Sequence, residues 1–390
     1  MAERPSRDPI RRAAAAGQGA GAPAPASRAF VHLRVHSAYS LLEGALPVGK
    51  IVGHAVKDRA PAIAVTDTNN LFGALEFAQK AVKDGVQPIV GCQLDVAFDD
   101  HAGEGPRAGH RRHGPEVHPL VLLAATETGY ANLVRLVSRA YLDVPAGEPP
   151  HVEASWLPPL AEGIICLTGG ARGPVGAALK ADQHAAAEAR LLFLRQVFGD
   201  RLYVELQRYR GHDRGVEAAT VELAYAHDLP LVATNEAFFP AADDYEAHDA
   251  LLAIAEGSVV AVDDRRRLTP DHHLKSQAEM AALFADLPEA LDSTVEIARR
   301  CSYFPQSRKP ILPRFADAGA DPEAAEKAEA EELARQAREG LDKRLAAHGP
   351  TKGYTEQDYR DRLEFEIGII TRMKFPGYFL IVSDFIKWAK

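Results

Sequence analysis

Cysteine is scarce in this chain: three in 390 residues, Cys92, Cys166 and Cys301, with no C-x-x-C pair among them. That spacing excludes a disulfide framework or a zinc knuckle and suits a reducing compartment. Long hydrophobic runs are missing as well. No stretch reaches the roughly 18 apolar residues of a membrane span, so no membrane partner is expected. Positive charge is in deficit, with 45 Lys and Arg against 54 Asp and Glu for a net charge of −9, which argues against non-specific nucleic-acid binding by the chain as a whole. It leaves room for a local basic groove.

Residues 1–28 lack almost everything a folded segment needs. They are dominated by Ala, Arg, Pro and Gly, with no apolar core for a secretory signal. Arg4, Arg7, Arg11 and Arg12 resemble a transit peptide, but Glu3 and Asp8 and the absence of an amphipathic stripe oppose it. A disordered tail is the expectation.

From Phe30 onward, strand-like and helix-like segments alternate. Phe30–His36, Ala62–Thr66, Gln87–Val96, His118–Ala124, Gly163–Thr168, Leu202–Leu206 and Leu229–Thr234 read as seven strands with apolar bodies. Seven β-then-α units describe an α/β domain with a parallel sheet. Closure into a barrel is favoured because polar residues recur just after strands: Arg34 and His36, Asp67, Gln93 and Asp95, Asn235 and Glu236. The Gly- and Pro-containing loop Asp99–Glu116 reads as a solvated insertion.

The first strand carries the sharpest signal. Val31, Leu33 and Val35 alternate with His32, Arg34 and His36, and Glu43 comes shortly after. Histidines at a strand end with a nearby carboxylate form the frame of a metal-dependent hydrolytic site. Arg34, a permanent cation, cannot ligate a metal.

Phe30–Gly44 and Val65–Phe77 resemble the PHP (polymerase and histidinol phosphatase) domain that opens bacterial DNA polymerase III alpha subunits. Pro88–Gly91, Leu122–Leu133, Val232–Glu236 and Leu283–Cys301 continue the likeness, and Phe375–Lys390 resembles the entry into the polymerase module. The resemblance implies a distorted (βα)7 barrel over 29–285. Residues 286–390 would then be a helical connection leading into an incomplete thumb and palm.

Metal-competent members of that family hold about three metal ions. At the matching positions this chain keeps His36 and His118, with Glu43 and Glu236 as acidic substitutes. The family ligands are lost at Arg34, Thr68, Gln93, Gly170 and Phe238. An incomplete shell and an arginine at its centre oppose Zn²⁺ or Mn²⁺, and the Arg34 guanidinium is expected to pair with Glu43 or Glu236 instead. No cofactor is expected in this stretch. The resemblance places the Mg²⁺-binding polymerase carboxylates beyond the position of Lys390, so no catalytic residue is expected here.

The implied role is the N-terminal portion of a replicative polymerase in the cytoplasm. Its silent PHP domain would serve as scaffold and as docking site for the proofreading exonuclease subunit, within a holoenzyme that binds DNA. The alternatives are a metal-dependent phosphoesterase or 3′→5′ exonuclease, and an error-prone paralogue of the alpha subunit.

Other motifs take plain readings. Thr168–Pro174 lacks the ending of a P-loop and reads as a strand-to-helix turn. Asp67–Asn70 reads as an N-cap for the helix beginning near Leu71, and Arg265–Arg267 and Arg299–Arg300 as solvated surface. Adjacent Ser37 and His36 point to opposite faces and make a poor nucleophile pair. Phe375, Tyr378, Phe379, Phe385 and Trp388 are expected in a core. Ala320–Ala347 reads as a solvated helix with opposite charges four residues apart.

Overall fold

The computed structural model describes residues 29–98, 115–308, 315 and 321–390. The tail expected over 1–28 and nearly all of the insertion after Phe98 lie outside them. The chain forms two units, divided between Ser307 and Arg308.

The first unit is built on a seven-stranded sheet: β1 (Ala62–Thr68), β2 (Gln87–Ala97), β3 (Val117–Ala124), β4 (Val152–Glu153), β5 (Ile164–Leu167), β6 (Leu202–Gln207) and β7 (Leu231–Thr234). The order is β1-β2-β3-β5-β6-β7, with β4 beside β2. The sheet is mixed rather than all-parallel, because β3 runs antiparallel to both β2 and β5.

The expected first strand is present only in part. Val35 bridges Ala237, and the rest of Phe30–His36 is extended but irregular. It nevertheless joins the sheet's two edges. His32 and Val35 carbonyls accept from Ala64 and Thr66 at 2.8 Å, while the His36 amide donates to the Ala237 carbonyl at 2.9 Å. Thr66 explains the irregularity: its Oγ1 accepts from the Val35 amide at 3.0 Å and interrupts the ladder.

Side-chain alternation divides the core. Ile89, Val121, Leu123, Ile165, Leu167, Tyr203 and Val232 share one apolar cluster with Val31 and Leu33. The opposite strand faces, including Cys92, Leu94, Leu120 and Leu122, pack with the helices Glu127–Leu142 and His184–Phe198. Two residues beyond the first cluster on the same strand faces the side chains turn polar: Glu205 after Tyr203 and Thr234 after Val232. Gln93 stands four beyond Ile89.

Helix Pro288–Arg300 belongs to this unit, which therefore extends past the boundary expected at 285. Its Ile297 and Ala298, with Cys301, enter the inner apolar cluster. Thr294 Oγ1 accepts from the Val31 amide at 3.0 Å, and Gln87 Nε2 donates to the Ala298 carbonyl at 2.6 Å. All three cysteines are buried free thiols.

The second unit comprises helices Pro322–His348, Glu356–Arg372 and Pro376–Ala389. Asp321 caps the first through the Ala324 amide at 3.1 Å, and Thr355 and Asp358 form a capping box on the second. Ion pairs Arg338–Glu364 and Arg360–Asp342 link the first two helices. Of the last helix's aromatics, Tyr378, Phe379, Phe385 and Trp388 are exposed, Trp388 by 90%, contrary to the core expected for them.

Because Ile297 is fully buried in the inner cluster, Ile297→Ala is expected to lower the unfolding free energy of this unit by about 2–4 kcal/mol. Exposed Ile254→Ala should change it by under about 0.5 kcal/mol. Urea denaturation checks both. An unmoved midpoint for Ile297→Ala would place the helix outside this unit's core.

Candidate functional site

Arg34 occupies the polar end of the sheet's interior and is completely buried. Its Nη1 donates to Glu205 Oε1 at 3.1 Å and its Nη2 to Glu236 Oε1 at 2.9 Å. Gln93 Oε1 accepts from Nε at 3.1 Å and from Nη2 at 2.6 Å. These partners arrive from β2, β6 and the end of β7, so one guanidinium ties three strands to the opening segment. Glu205 is fixed in turn by the Gly169 amide at 2.9 Å and by Thr234 Oγ1 at 2.5 Å.

Two further arginines complete the group. Arg172, from the turn after β5, pairs with Glu236, and Arg266 pairs with Glu43. Arg34 therefore takes Glu236, one of the two alternative partners expected for it, and Glu205 besides. Arg172 sits in a stretch that otherwise behaves as a plain turn, with Gly169 and Gly170 at φ 82° and 63°. Arg266 comes from the run expected as solvated surface. There Arg265 is engaged too, with Asp249, and Arg300 of the second run holds the Asp200 carbonyl at 2.8 Å.

The charges respond to this packing. Burial works against an ionised Glu236, but Arg172, Arg34 and a contact from His36 outweigh it and hold the carboxyl well below its ordinary range. Burial likewise opposes the charge on Arg34, and Glu205 and Glu236 reverse it. Glu43 is also lowered: burial is overcome by Arg266, His36 and the Thr68 hydroxyl. Asp95, near the same group, is raised by burial despite a hydrogen bond from Asn69.

Around them stand the other matched positions. His36 stacks flat on Phe238, with ring centroids 4.2 Å apart and planes within 2°. Its Nδ1 lies 3.2 Å from Ser40 Oγ, and its Nε2 is 3.4 Å from Glu236 Oε1. Thr68 Oγ1 donates to Glu43 Oε2 at 2.7 Å. Asp67 caps no helix, because the N-cap of helix Ala74–Lys83 is Gly73. It accepts instead from the Ser37 amide at 2.6 Å and from Ser40 Oγ at 2.7 Å, which shapes the turn carrying Glu43. At Gly170 a Cβ would come within 2.5 Å of Gln207 Oε1, so a ligand side chain there requires Gln207 to move.

His118 stands on the other side of the sheet. Gln93 pairs in register with Val121, an inner-cluster residue, and an odd separation of three puts His118 on the opposite face. Its Nε2 lies 3.2 Å from Arg190 Nη1 and 3.7 Å from Glu116. The structure thus gathers His36, Glu43, Glu236, Arg34, Thr68, Gln93 and Phe238 and leaves out His118.

A metal centre of the family type does not fit this group. Among the described residues no three His, Cys, Asp or Glu side chains converge as ligands. Glu205, Glu236 and Glu43 are each already met by a guanidinium, and burying a divalent ion beside Arg34 meets direct repulsion.

Comparison with known proteins assigns the class first. Residues 32–209 match the PHP domain and residues 331–390 the bacterial DNA polymerase III alpha NTPase domain. The chain is 49% identical over 362 residues to DNA polymerase III subunit alpha of Caulobacter vibrioides. It is 40% identical over 372 residues to that of Pseudomonas aeruginosa, and 38% over 368 residues to that of Escherichia coli K12. Each match covers 93% of this chain and 30% of the relative. Over 93% of its length the chain is thus similar to DNA polymerase III alpha subunits, and it spans about 30% of the length of those relatives.

Arg34→Met is expected to cost about 3–5 kcal/mol, since Glu205 and Glu236 lose their buried counter-charge. Arg34→Lys should recover little, because an ammonium cannot reproduce the planar fork. Urea unfolding measures both. Glu236 also sets an acid dependence. A carboxyl lowered on folding stabilises fully above its unfolded pKa of about 4.3 and loses that contribution as the pH falls. Glu236→Gln should therefore lose less stability than the parent chain between about pH 5 and pH 3. Equal losses would show that the carboxyl is not held ionised by the arginines.

Proposed function

We propose that this chain acts as the N-terminal portion of the replicative DNA polymerase III alpha subunit and that its PHP domain is metal-free and catalytically silent. The observation carrying the second part is the Arg34 guanidinium spanning Glu205 and Glu236 at 3.1 and 2.9 Å, where a hydrolytic centre would need ligands. The domain then serves as scaffold, closing its own sheet and docking the proofreading exonuclease subunit. Mg²⁺-dependent DNA synthesis, carried out beside DNA in the cytoplasm, belongs to the longer subunit, of which this chain spans about 30% in the curated relatives it matches. Among the described residues no helix is long and apolar enough to cross a membrane.

The purified chain, incubated with Zn²⁺ or Mn²⁺, is expected to hydrolyse neither p-nitrophenyl phosphate nor a 3′-labelled oligonucleotide, and added chelator should change nothing. It should co-elute with the exonuclease subunit in gel filtration. Chelator-sensitive hydrolysis would establish the phosphoesterase reading instead. Failure to retain the exonuclease would remove the docking role and leave only the structural one.

A further inference from the structure

The loop leaving β6 forms one wall of an open cavity of about 380 Å³. Its lining includes Tyr209, Arg210, His212, Arg214, Asp271 and Lys275. The guanidiniums of Arg34, Arg172, Arg208 and Arg266 each face a carboxylate. Arg210 and Arg214 do not. Both are exposed, and neither guanidinium has an ion pair or side-chain hydrogen bond among the described residues.

Of the acids nearby, Asp271 lines the cavity beside Arg210, while Asp213 and Glu217 are held by other groups. Asp271 Oδ2 accepts from the Arg210 backbone amide at 2.6 Å. Asp213 caps helix Arg214–Ala226 through the Gly215 amide at 2.8 Å, and Glu217 holds Arg208. Lys275 also lines the cavity, but burial works against its charge and its ammonium is committed to Asn235 Oδ1 at 2.7 Å and to the Asp271 carbonyl. Tyr209 packs on His272 with ring centroids 4.8 Å apart, so an aromatic surface adjoins the two free guanidiniums.

Guanidiniums without carboxylate partners, lining a cavity of this size on the rim where parallel strands end, suit a phosphate-bearing ligand. An aromatic wall beside them suits a base on the same strand. We propose that this cavity is a phosphate-binding site in which Arg210 and Arg214 hold a phosphate group, supplied by single-stranded DNA or by free inorganic phosphate. The site adjoins the Arg34 group through Tyr209, and the proposal does not depend on the scaffold role.

The test titrates the chain into a 5′-labelled oligothymidylate by fluorescence anisotropy over a range of salt, alongside the double variant R210E/R214E. Calorimetric titration with inorganic phosphate forms the second arm. Both side chains are exposed and unpaired, so the variant should keep its thermal midpoint. Oligonucleotide affinity is expected to fall about tenfold or more, with the salt slope reduced by about 1.4 for two lost phosphate contacts. Phosphate binding that disappears in the variant, without oligonucleotide binding, supports the site and identifies free phosphate as its source. If the variant changes neither titration, the proposal is overturned.

Discussion

The first unit depends on one buried guanidinium. Arg34 is fully enclosed, and a charge in such a place persists only with matched counter-charges and filled hydrogen bonds. Glu205, Glu236 and Gln93 supply both. Since they stand on β6, after β7 and on β2, satisfying the guanidinium fixes where those strands lie relative to the opening segment. The apolar cluster beneath supplies burial, and the arginine adds specificity of position, because its fork accepts partners in one plane only.

The same logic extends outward to the loops. Glu236 sits between Arg34 and Arg172, so the turn after β5 is drawn to the end of β7. Glu43 takes Arg266, while its backbone carbonyl accepts from His248 Nε2 at 2.6 Å. Helix Tyr245–Ala255 and the segment after it are thus held against the turn beyond the opening segment. Arg34, Arg172 and Arg266 hold the rim loops together by charge-assisted hydrogen bonds.

Much of this was legible in the sequence. Apolar bodies located the strands β1, β2, β3, β5, β6 and β7, and the opening run singled out Arg34, which the structure buries. Strand direction was not visible, because periodicity is the same for parallel and antiparallel strands. His118 matched a family position in order along the chain, yet its register parity with Val121 turns it away, and parity needs the pairing partner to be known. Arg172 and Arg266 looked like an ordinary turn residue and a charged surface run. Their partners, Glu236 and Glu43, lie 64 and 223 residues away in sequence, a distance no local pattern spans. The aromatics of the last helix follow helical spacing but stay exposed in the second unit.

The central claim is that arginine fills the place of the metal centre. The most direct measurement is a crystal structure of the chain soaked in Zn²⁺, with anomalous data collected at the zinc edge. The account predicts no anomalous peak among His36, Glu43 and Glu236, and continuous guanidinium density between Glu205 and Glu236. A strong peak ligated by those three residues, with Arg34 displaced, would contradict it.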